Sequence, residues 1–180
     1  VDLQSKEQKS AEYLKLNPNG DVPTLIIDGK AVYESPALVM HLADLFPEAG
    51  LAPAIGTLER AQYYQWMFNL VNPLQSAMRH WWYPAEASGE ANVEATQLAV
   101  RERVEKCWDR LDAHLAANGP YLLGDKISAA DFMLTMLMRW TRNMPKPGTD
   151  WPHLNALATK MKARPSFKTL YEREGLTEWA

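Results

Sequence analysis

The sequence is poor in the groups that build covalent or metal frameworks. It has one cysteine, Cys107. A single thiol excludes an intramolecular disulfide framework and an all-cysteine metal site, and it suits a reducing, cytoplasmic setting. The four histidines, His41, His80, His114 and His153, are scattered, with none at a metal-binding spacing. No metal is therefore expected. No apolar run approaches the roughly 20 residues of a membrane-spanning helix, and no signal-peptide pattern is visible. Neither sign of charge dominates: 19 Lys and Arg stand against 22 Asp and Glu, a net charge of −3. That balance argues against nucleic acid or an anionic membrane as a partner.

What is present is an ordinary globular composition, 47% hydrophobic and 23% charged over 180 residues. This length buries a real core. Seven tryptophans and eight methionines are a high share. Most are expected in the core, with some lining a cavity for flat apolar ligands.

Val1-Asp2-Leu3 reads as the end of a strand, and Ser5 to Leu16 as a short helix or turn stopped by Asn17-Pro18-Asn19-Gly20. Thr24-Leu25-Ile26-Ile27 and Ala31-Val32-Tyr33-Glu34 flank Asp28-Gly29, which predicts an antiparallel hairpin. Ser35 is expected to cap the next helix, with Pro36 at its first position. Leu38, Val39, Leu42, Leu45 and Phe46 would form its apolar face.

Residues 51–56 read as a linker. Beyond them strand signals vanish. A long helix is predicted from Thr57 to about Trp82, bent at Pro73, and a second from about Ala91 to Ala117, stopped by Asn118-Gly119-Pro120. Ser128 and Asp131 form a short capping box opening a helix to about Arg142 that is apolar nearly all round and hence central. Further helices start at Asp150 or Trp151-Pro152 and at Pro165, the last stopped by Gly175.

Three segments then combine: Asn17 through Leu25, Tyr33-Glu34-Ser35-Pro36-Ala37-Leu38, and Leu123-Gly124-Asp125 with Ser128-Ala129-Ala130-Asp131. In this order they resemble the cytosolic glutathione transferase family, of bacterial type, over essentially the whole chain. The resemblance implies a thioredoxin-like α+β domain at residues 1–50, truncated to its hairpin and helix, then a transferase-type all-helical bundle at 57–180. It also implies a cis Val22-Pro23 bond that turns the Val22 amide and carbonyl into a cleft. There they would pair with the cysteinyl backbone of glutathione as an added strand would. Ser35, at a helix N-terminus with open amides, would hold the γ-glutamyl carboxylate. Glu34 would sit near the ammonium group, and Lys9 or Gln8 would reach the glycyl carboxylate.

By the same resemblance, an apolar electrophile would lie between the small domain and the helices, with Met78, Trp81, Trp82 and Tyr83 as candidate walls. Glutathione would be a co-substrate, with no further cofactor, and the protein would be a homodimer. Trp140 and Cys107 are expected in the core. The family's thiol-activating Tyr, Ser or Cys belongs to a strand–helix unit with no counterpart in residues 1–180. The expectation is that such a unit precedes Val1 in the native protein or that a partner covers the bare hairpin edge. Beta-class relatives place a His where this chain has Gln75. A non-catalytic transferase-like binding or protein-interaction module is the alternative reading.

Overall fold

The structure is a computed structural model that describes residues 1–179. It divides into two units, Val1–Ala52 and Pro53–Ala180.

In the first unit, Val1-Asp2-Leu3 leads into a turn over residues 3–6 and is not the strand end expected of it. The reason is local: the Asp2 carboxylate accepts from the Gln4 amide at 2.8 Å, and its carbonyl accepts from the Glu7 amide at 3.0 Å. Asp and Asn side chains favour such turns over extended pairing. The helix expected over 5–16 is split. A 3₁₀ turn, Glu7–Lys9, precedes helix α1, Ala11–Leu16. The break is at Ser10, whose extended backbone (ψ 152) lets its hydroxyl cap the Tyr13 amide at 3.2 Å.

Strands β1 (Thr24–Ile27) and β2 (Lys30–Tyr33) pair antiparallel with Thr24 opposite Tyr33 and Ile27 opposite Lys30. The two-residue turn needs positive φ twice. Asp28 (φ 48) and Gly29 (φ 76) supply it. Helix α2, Ser35–Leu45, starts one residue earlier than expected: Glu34 (φ 80) is the capping position and Ser35 the first helical residue. Only Leu38 and Ala43 of α2 are buried, whereas Leu42, Leu45 and Phe46 are exposed. The helical spacing was read correctly, but a stripe is a core face only where something covers it.

The second unit is helical. Thr57 caps α3, Leu58–Asn69, by accepting from the Arg60 amide at 3.2 Å. The bend at Pro73 is a π-helical turn, Leu70–Gln75, leading into α4, Ser76–Trp82. Proline has no amide to continue the ladder, so the helix re-registers around it. A short α5 (Pro84–Ser88) and the long α6 (Val93–Asn118) follow. Then come α7 (Ala129–Trp140), α8 (Pro152–Lys162) and α9 (Pro165–Glu174).

Helix α7 is central, with Met133, Leu134, Leu137 and Met138 each at most 2% exposed. Its start is fixed by Asp131, which is fully buried. One carboxylate oxygen accepts from the Leu122 amide at 2.9 Å, and the other from the Ser128 amide at 2.7 Å and hydroxyl at 3.0 Å. Burial pushes this carboxyl above its usual range despite the three donors.

Asp112 on α6 does a related job for α8. It accepts from the His153 and Leu154 amides at 2.7 and 3.0 Å and from the His153 ring at 3.0 Å. Partial burial opposes its charge, but these hydrogen bonds win and hold its carboxyl below the usual range.

Asp131→Ala orphans two buried amides and is expected to destabilise the helical unit by about 2–4 kcal/mol in urea denaturation. Asp112 gives a pH signature. A carboxyl lowered by folding stabilises above its unfolded pKa and loses that contribution as pH falls through its folded value. The stability gap between the protein and Asp112→Asn is therefore expected to be full above the usual carboxylate range and to shrink as pH falls below it.

Candidate functional site: the end of the hairpin

The register of the hairpin decides what lies together. Because Thr24 pairs with Tyr33, the residues just before β1 and just after β2 share one end of the sheet. Those residues are Val22-Pro23 and Glu34-Ser35, so the structure brings together the two segments singled out from sequence. The Val22-Pro23 peptide is cis, as expected.

A buried network, missed in the sequence, anchors this end. Tyr13 on α1 is 9% exposed, and its hydroxyl lies 2.8 Å from both the Asp21 carbonyl and the Thr24 hydroxyl. Asn17, 2% exposed, donates from its amide nitrogen to the same Asp21 carbonyl at 2.8 Å and to the Thr24 hydroxyl at 3.3 Å. Its side-chain oxygen accepts from the Asn19 amide at 3.1 Å. Gly20 (φ +61) has no room for a side chain: a Cβ would lie 2.8 Å from Lys9 Cδ and 2.9 Å from the Gln8 carbonyl. A signal was available in the i, i+4 spacing of Tyr13 and Asn17, directly before the Pro-Asn-Gly turn.

What this scaffold presents is a set of open groups. Among the described residues, neither the Val22 amide nor its carbonyl has a hydrogen-bond partner, and nor do the Ser35 hydroxyl, the Ser35 amide or the Glu34 carboxylate. Val22 is 40% exposed, Pro23 and Glu34 are exposed, and Ser35 is half-buried. An open β-type backbone beside a helix N-terminus can take a peptide backbone and an anion together. Lys9 is drawn into the turn: its ammonium donates to the Asn19 carbonyl at 3.0 Å and lies 3.8 Å from the Asp21 carboxylate.

The expected apolar wall residues on α4 separate. Met78 is 0% exposed and belongs to the core, so it cannot line a pocket. Trp81 is half-buried and Trp82 is 43% exposed. Tyr83 is exposed under the Arg79 guanidinium, 5.4 Å from its ring centre. Trp140, expected in the core, is half-buried, and its ring meets Trp82 edge-on at 5.8 Å. Cys107 is buried, as expected.

Residues 1–50 match the family model for the glutathione S-transferase N-terminal domain, and residues 74–174 match that for its C-terminal domain. The chain belongs to the glutathione S-transferase family. A glutathione S-transferase of Xanthomonas campestris is 29% identical over 172 residues, covering 93% of this chain and 82% of that protein. The crystal structure of a Methylococcus capsulatus glutathione transferase matches with TM-score 0.86 and 30% identity, covering 98% of this chain and 85% of that one. A Sulfitobacter glutathione transferase homologue with bound glutathione matches with TM-score 0.88 and 28% identity, covering 98% and 85%. The transferase fold is thus shown, with a two-stranded small domain followed by an all-helical one. No described helix is long and apolar enough to cross a membrane.

Asn17→Ala removes the side chain that ties Asp21, Thr24 and Asn19 together. It is expected to destabilise the first unit by about 1–3 kcal/mol and to speed amide exchange over residues 19–24 in hydrogen-exchange measurements.

Proposed function

We propose that this chain acts as a glutathione transferase, joining the glutathione thiolate to an electrophilic, largely apolar small molecule. The observation that carries the reading is the set of open groups at one end of the hairpin. Val22 offers amide and carbonyl to the cysteinyl backbone. The Ser35 hydroxyl and amide take the γ-glutamyl carboxylate, helped by the partial positive charge of the α2 N-terminus. Glu34 answers the ammonium group. Lys9 has donors beyond its two contacts in the turn, and these reach the glycyl carboxylate.

In the reaction, the thiol loses its proton, the sulfur forms a bond to the electrophilic carbon, and the leaving group or displaced π electrons depart. The residues named here bind and orient glutathione. They hold no proton of the thiol. Activation of the sulfur belongs to the strand–helix unit that the family places ahead of this hairpin. Trp81 and Trp82 offer flat apolar surface for the electrophile. Glutathione is a co-substrate, and the reaction needs no metal. A cytoplasmic homodimer fits the family and the composition. Open glutathione contacts favour this reading over a pure protein-interaction scaffold, which has no use for them.

Ser35→Ala removes one charge-assisted hydrogen bond to the carboxylate. It is expected to raise the glutathione Kd about tenfold in calorimetry, equivalent to about 1.4 kcal/mol, with unfolding unchanged. Unaltered affinity in Ser35→Ala, or no glutathione binding by the parent protein, would contradict the assignment. Binding without turnover of a chloronitroaromatic electrophile would support the non-catalytic module instead.

A further inference from the structure

The Asp21 carbonyl and the Val22 amide belong to one peptide group. What binds that oxygen is therefore felt at the N–H that Val22 presents. Two side chains donate to it, the Tyr13 hydroxyl and the Asn17 amide nitrogen, each at 2.8 Å.

The direction of every proton in this network follows from counting. A carbonyl oxygen only accepts, so the one hydroxyl hydrogen of Tyr13 goes to Asp21. The 2.8 Å contact between the Tyr13 and Thr24 hydroxyls is then a donation from Thr24. With the Thr24 hydrogen spent, its oxygen accepts the second amide hydrogen of Asn17 at 3.3 Å. The Asn17 oxygen in turn accepts from the Asn19 amide at 3.1 Å. The bonds thus run head to tail, from the Asn19 amide through Asn17, Thr24 and Tyr13 to the Asp21 carbonyl. Asn17 also reaches that carbonyl directly.

Bonds ordered in one direction polarise one another, and more strongly away from water. Asn17 is 2% exposed and Tyr13 is 9% exposed. Resonance joins the carbonyl oxygen to the peptide nitrogen. Donation to the Asp21 oxygen therefore draws electron density from the Val22 nitrogen and makes its N–H a stronger donor. Among the described residues that N–H has no acceptor, so its strength is left for a ligand.

We propose that Tyr13 is a positioning residue for glutathione. Through the Asp21 carbonyl it fixes the Asp21–Val22 peptide plane and strengthens the Val22 amide as donor to the cysteinyl carbonyl. Its hydroxyl has no hydrogen left for a ligand, so it acts only through that peptide. This role rests on the transferase reading above, in which the cysteinyl carbonyl is the group that meets Val22.

The test is an NMR titration of the full chain and of Tyr13→Phe. Glutathione is titrated into the parent first. Two further ligands then differ at one group: γ-glutamylcysteine carboxamide carries the carbonyl, and γ-glutamylcysteamine lacks it. Tyr13→Phe is expected to move the Val22 amide proton upfield in the free protein. It should weaken the carboxamide about threefold and leave γ-glutamylcysteamine unchanged. A merely structural loosening of the turn would weaken both ligands alike. Thr24→Val cuts the chain one link earlier and keeps the bond from Tyr13 to Asp21, so it should give the same pattern with a smaller loss. It decides the matter if Tyr13→Phe fails to fold by circular dichroism. An unmoved Val22 amide proton, or equal effects on the two ligands, overturns this role alone. No saturable glutathione binding by the parent overturns the transferase reading and this role together.

Discussion

The pairing of Thr24 with Tyr33 is the constraint on which the site depends. A strand repeats every two residues, so a slip of one would turn every side chain of the hairpin to the other face. It would also part Val22-Pro23 from Glu34-Ser35. The Asp28-Gly29 turn holds the register at one end through two positive φ angles. At the other end, Tyr13 and Asn17 hold Thr24 and the Asp21 carbonyl. The turn is thus anchored by side chains rather than by backbone ladder bonds, which leaves the Val22 backbone free for a ligand.

The helical unit relies on the same device twice. A carboxylate, the buried Asp131 or the half-buried Asp112, collects the amides at the start of a helix that packs in the bundle. Neither carboxylate is placed to act on a substrate, and their shifts have opposite sign for a clear reason. Asp131 is sealed from water, so burial outweighs its donors. Asp112 keeps partial contact with solvent and gains an imidazole partner, so its hydrogen bonds prevail. Both shifted carboxyls serve to start a helix.

Much of this was legible in the sequence because it rests on local rules. Asp28-Gly29 between two β-branched runs specifies the hairpin. Ser128 with Asp131 specifies the start of α7, and Pro73 places a break in the first long helix. The misreadings share a cause. Val1–Leu3 and Ser10 follow side-chain-to-backbone hydrogen bonds that periodicity does not register. Leu42, Leu45 and Trp140 were assigned burial from type and spacing, while their surroundings come from segments distant in the chain.

The central claim is that the end of the hairpin grips glutathione through backbone and helix-terminal groups. The most direct measurement is a glutathione titration followed by amide chemical shifts. The account predicts saturable changes that are largest at Val22 and Ser35, with α7 and α9 unmoved. No saturable change at those two amides, or changes centred on α7 and α9 instead, would contradict it.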